Sequence, residues 1–77
     1  MNAAPALAEE KYPFDKEEAL NRLDRVIVRS PQKEADAREW RIFVKRFWGD
    51  FTEREMNIFL AFLTDAGIGP EPKGRKA

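Results

Sequence analysis

Few side chains in this sequence could make or break bonds. There is one serine, Ser30, there are two threonines, Thr52 and Thr64, and cysteine and histidine are absent. Without cysteine there is no disulfide, zinc ribbon, iron–sulfur cluster or thiolate nucleophile, and without histidine no imidazole base and no usual transition-metal ligand. A hydroxyl nucleophile would need activation by lysine or carboxylate alone, an uncommon arrangement. Carboxylates are plentiful, and Glu9–Glu10 and Glu17–Glu18 are adjacent pairs. Acid–base catalysis, however, needs pKa values pushed apart in a dry cleft, and these pairs fall on polar faces or in the N-terminal segment. No clustered carboxylate spacing supports a magnesium site, and no glycine-rich loop could cradle a phosphate. The sequence therefore predicts no catalytic residue, no cofactor, no metal, no small-molecule substrate and no enzyme activity.

What remains is binding chemistry. Seven large aromatics, Trp40, Phe43, Phe47, Trp48, Phe51, Phe59 and Phe62, crowd into 23 positions, and Arg38, Arg41 and Lys45 recur at helical spacing. A domain this small must use large side chains for its core, so most of the aromatics are expected inside. Trp48, Phe51, Ile58 and Phe62 are the candidates for an apolar docking patch, with Arg38, Arg41 and Lys45 as a steering rim.

Three helices must position these residues in a chain of 77 residues, enough for one small domain. Asp15 is placed to cap the first, with Glu18 three residues on and Phe14 and Ala19 as a hydrophobic staple. It runs to about Arg29. Ala19, Leu20, Leu23, Val26 and Ile27 cover an arc of roughly 120°, while Arg22, Arg25 and Arg29 gather on the far side. Ser30–Pro31 closes it and opens a second helix over residues 31–48, with Gly49 as terminator. Its apolar stripe is Ala37, Trp40, Phe43, Val44 and Phe47. Arg38, Arg41 and Lys45 lie roughly 130° around, Ile42 is on the wet side, and Asp36 is the one acid on the stripe.

Thr52 and Glu55 form a capping box for the third helix, which continues to about Ala66 before Gly67 stops it. Met56, Phe59, Leu60, Leu63 and Ala66 share a face, but Ile58 and Phe62 widen the apolar arc to roughly 200°. So broad an arc implies contacts on two sides. The expected fold is thus all-α, a three-helix domain over residues 14–67 with flexible tails at residues 1–13 and 68–77. The second tail is basic through Lys73, Arg75 and Lys76. The pattern also allows a short helix between Ala6 and Lys11.

Fourteen Lys and Arg balance fourteen Asp and Glu. The zero is a cancellation: residues 31–49 hold five bases against three acids, for plus two, and residues 50–67 hold one base against four acids, for minus three. A sequence pI near 6.3 is far below that of a typical nucleic-acid domain. A helix-turn-helix reader is not matched either, since its reading helix would here present Met, Ile, Phe and Leu behind an acidic first turn. There is no secretory signal, transit peptide or stretch of roughly 20 apolar residues, so the expectation is a cytoplasmic protein off the membrane. An ordered core of about 54 residues without disulfide or metal is marginal alone, and association is one way to gain stability. The expected function is that of an accessory subunit, adaptor or inhibitor that binds another protein or a second copy. The alternative is a nucleic-acid-binding or regulatory module using the basic face of the second helix.

Overall fold

In the computed structural model the described residues are Ala6, Ala8 and residues 11–69, and they form three helices: α1 (Lys16–Arg29), α2 (Glu34–Phe47) and α3 (Glu53–Asp65). No strand occurs among them; Ala6 and Thr52 make an isolated antiparallel bridge. The all-α three-helix fold expected from the periodicity is the fold observed. The first and third helices begin where the sequence supplies a side-chain cap. The Asp15 side chain accepts the Glu18 amide at 2.9 Å, with Glu17 and Glu18 at the positive end of the helix dipole. At α3 the capping box is complete: the Thr52 hydroxyl accepts the Glu55 amide at 3.2 Å, and the Glu55 carboxylate accepts the Thr52 amide at 2.9 Å.

Two boundaries differ from expectation. Pro31–Lys33 is a separate 3-10 turn rather than the first turn of α2. Ser30 supplies no side-chain cap there, so the Lys33 amide is satisfied by the tighter bond to the Ser30 carbonyl at 2.8 Å. After α2, Trp48–Asp50 forms a second 3-10 turn, and Gly49 is not the left-handed stop; positive φ occurs only at Gly67 and Gly69 among the described glycines. Burial of the Trp48 ring holds this turn instead. Gly67 does stop α3, at φ +81°: the Ile68 amide returns to the Leu63 carbonyl and the Gly67 amide to Thr64, each at 2.9 Å, a Schellman closure.

The core takes Ala19, Leu23 and Val26 from α1, Ala37 and Val44 from α2, and Met56, Phe59 and Leu63 from α3. α2 buries only the small Ala37 and Val44, and α1 and α2 make the closest backbone approach. α3 stands further from α2, with aromatic rings in the gap: Trp40 is 5.1 Å from Phe59 and 6.3 Å from Phe62, centroid to centroid.

The core also reaches past the expected domain limits. Tyr12 is buried, its ring edge-on to Trp48 at 4.7 Å and its hydroxyl donating to the Trp48 carbonyl, so it belongs with the helices rather than with a tail. A tyrosine can do this because its ring is apolar and its one polar atom finds a buried acceptor. At the other end the Gly69 carbonyl accepts from Arg22 at 2.8 Å. Arg22 itself is buried, not on an outer face, because Glu18 neutralises it at 2.9 Å and the Phe14 ring lies 4.2 Å beneath it. Where a helix was allowed between Ala6 and Lys11, Ala6 pairs with Thr52 and the Lys11 amide bonds the Ala8 carbonyl in a tight turn. The basic residues Lys73, Arg75 and Lys76 lie outside the described residues. No described helix is long and apolar enough to cross a membrane.

Candidate functional site

The seven residues singled out in the sequence separate into three groups. Trp48 and Phe51 are enclosed, at 6% and 0% exposure. Phe51 is the centre of the aromatic core, with the rings of Phe43 and Trp48 each at 5.1 Å, Phe59 at 6.0 Å, Tyr12 at 6.2 Å and Trp40 at 6.5 Å. Neither side chain can reach an outside partner, and their place in a docking patch is withdrawn. A signal for Phe51 was present in the sequence: it precedes the Thr52 cap, and Met56 follows at the fourth helical position. Those are the two positions of a hydrophobic staple, and both residues are buried.

Ile58 and Phe62 form the second group. The structure brings them together with Trp40 and Phe43 of α2 along an open groove of about 440 Å3 between α2 and α3. The groove exists because the closest helix packing is between α1 and α2, while α3 rests on rings that fill the interior but not the outer margin. Ile58 is 52% exposed although other apolar residues of α3, Met56, Phe59 and Leu63, are buried. On α2 the apolar surface continues one turn beyond Phe43 to the exposed Phe47, whose ring lies 5.2 Å away.

The third group, Arg38, Arg41 and Lys45, lies elsewhere. On α2 these residues are roughly 180° from the groove-lining positions Asp36, Glu39, Trp40 and Phe43. Arg41 instead turns toward α1, where it donates to Asp24 at 2.8 Å, and Arg38 pairs with Glu34 at 2.7 Å. They cannot rim the groove. Two of the three are already matched to carboxylates, which lowers the positive potential available to a phosphate.

Carboxylates border the groove: Asp36 and Glu39 from α2 and Glu55 from α3. Glu55 is held by the α3 cap. Asp36 and Glu39 are exposed and have no cation partner among the described residues, whereas Glu18, Asp24, Glu34 and Asp65 are all ion-paired. At the Phe62 end, Lys33 sits 6.0 Å from the ring centroid but is tied to Asp65 at 3.3 Å. The result is an aromatic and aliphatic floor with an acidic margin whose carboxylates make no ion pair among the described residues. Such a surface can bind an apolar group carrying positive charge, and no serine or threonine hydroxyl is among the residues that line it. The acidic margin was missed from the sequence although Asp36 already fell on the apolar arc of α2. Glu39 is its neighbour on α2 by the three-residue spacing alone, and only Glu55 is added when α3 is laid beside that arc.

Fold and site together define a small three-helix protein with an aromatic groove open between its second and third helices. Compared with protein-family models, curated proteins and solved structures, the chain matches none of them.

Proposed function

We propose that this chain acts by binding another protein, without catalysis, as an accessory subunit, adaptor or inhibitor, and that the partner docks in the α2–α3 groove. The observation that carries the reading is the exposed Ile58 beside Trp40, Phe43 and Phe62, an apolar surface continuous enough to gain from being covered. Covering a large apolar side chain is worth about 1.5 to 3 kcal/mol. Tryptophan in a pocket is moreover among the commonest anchors of binding energy. The sequence placed the docking flank on α3 with a basic rim; the flank is retained here, and its rim is acidic.

Tagged wild-type chain and Ile58→Asp are used for affinity isolation from the native extract at low and high salt, with helix content followed by circular dichroism. A protein retained at high salt by wild type and lost by the folded Ile58→Asp variant supports the reading. Equal retention by both overturns the choice of groove. Recovery of nucleic acid that washes off between about 50 and 200 mM salt and is lost on charge reversal at Arg38, Arg41 and Lys45 would favour the nucleic-acid alternative.

A further inference from the structure

We infer that the occupant of the groove is a cationic amphipathic helix of the partner protein, seated along α2 and α3 as a fourth helix. The inference rests on the docking reading above and adds the chemistry of the partner. Shape comes first. Both walls of the groove are helices, of 14 and 13 residues, each about 20 Å long. A segment of three to four turns can lie along their full length. A strand has no template, because no strand edge exists among the described residues to which it could add.

The floor fixes the apolar pattern. Trp40 and Phe43 on one wall and Ile58 and Phe62 on the other are themselves spaced three and four residues apart. They match a partner whose anchors recur at the same three-and-four spacing. A fourth helix there would also cover Ile58, the large apolar side chain that α3 leaves exposed.

Charge selects among possible helices. Among the described residues Asp36 and Glu39 have no ion-pair partner, Glu55 adds a third carboxylate at the margin, and Lys33, the cation beside Phe62, pairs with Asp65. A helix whose apolar face is bordered by lysine or arginine meets this margin favourably. A second copy of this chain docking groove to groove would set the same carboxylates against each other, a repulsive arrangement. The same sign of charge disfavours an anionic lipid surface and nucleic acid at this site.

Random peptides of about 16 residues displayed against the full 77-residue chain, followed by synthesis of the enriched sequences, test the inference. Binding is measured by fluorescence anisotropy on wild type, Ile58→Asp and the double variant Asp36→Lys/Glu39→Lys, all at exposed positions and checked for native helix content. The expected peptides carry apolar residues at helical spacing with an excess of lysine and arginine, gain helicity on binding, and lose affinity on Ile58→Asp. Reversing two surface charges should weaken them about tenfold, the combined effect expected of two exposed ion pairs. Enrichment of peptides without cationic excess, binding in an extended form, or equal affinity for Asp36→Lys/Glu39→Lys overturns this inference while leaving the groove as the docking site. Absence of any peptide whose binding depends on Ile58 overturns the groove itself. A wild-type dimer in sedimentation that Ile58→Asp dissociates would make a second copy the occupant, and would also overturn the inference.

Discussion

Arg22 is the most informative residue to remove. Its Nε donates to Glu18 Oε2 at 2.9 Å, a terminal nitrogen donates to the Gly69 carbonyl at 2.8 Å, and its guanidinium carbon lies 4.2 Å from the centroid of the Phe14 ring. One buried cation thus joins the segment before α1, α1 itself and the chain after α3. Arg22→Met keeps the length and apolar stem but leaves Glu18, 8% exposed, with Arg25 at 3.2 Å, a residue more than half exposed. Breaking a buried ion pair from one side costs about 3 to 5 kcal/mol. Arg25 retains part of the attraction, so the expected loss is about 2 to 3 kcal/mol. A core of this size rarely supplies more than about 3 to 5 kcal/mol in all, and the transition should fall by about 10 to 20 °C. Urea unfolding followed by tryptophan fluorescence and circular dichroism measures the loss. Glu18→Gln and the double variant complete a cycle, in which the pair should be less destabilised than the summed singles by about 1 to 2 kcal/mol. A loss under about 0.5 kcal/mol for Arg22→Met, or strict additivity in the cycle, refutes the reasoning that this pair is buried and mutually dependent.

Three further outcomes are expected. Tyr12→Phe deletes the hydroxyl that satisfies the buried Trp48 carbonyl and should cost about 1 to 2 kcal/mol in urea unfolding; an unchanged midpoint would place Tyr12 outside the folded unit. Phe51→Ala should cost about 3 to 5 kcal/mol, because Phe51 is fully buried, and the thermal transition should lose its cooperativity. A sharp transition near the wild-type temperature would contradict the central place given to this ring. Gly67→Ala forces a Cβ into φ +81°, where its nearest neighbour is Arg29 Nε at 3.1 Å, and should destabilise by about 1 to 2 kcal/mol, with Gly67→Asn milder. Equal midpoints for Gly67 and Gly67→Ala in calorimetry would remove the case for a left-handed helix stop.

Much of the fold is legible residue by residue. The Asp15 cap, the Thr52–Glu55 box and the Gly67 stop act within a few residues of themselves, so their chemistry is complete in the sequence, and all three occur as read. The docking site is legible only in part. The breadth of the apolar arc on α3 singles out Ile58 and Phe62, and both line the groove. Trp48 is buried although a residue in a connecting segment has no periodicity to tell which way it points, whereas the burial of Phe51 is legible only through its staple position before the Thr52 cap. Arg22 reads as an outer residue on the helical wheel, and its burial depends on Glu18, Phe14 and Gly69 arriving together from three segments.

By itself the sequence determines that this protein is three helices, the first and third with side-chain caps, that it carries no histidine or cysteine chemistry, and that its third helix has more apolar surface than one neighbour can cover. The tertiary structure decides which surface stays open and what charge surrounds it. The physical reason is that periodicity sets the angle of each side chain about its own helix axis, whereas the spacing and rotation between helices follow from the volumes that meet at each interface. Small Ala37 and Val44 mark the side where α2 buries itself, and the Trp40, Phe59 and Phe62 rings stand between α2 and α3. That difference in thickness opens the groove on the acidic side of α2 and leaves Arg38, Arg41 and Lys45 on the opposite one.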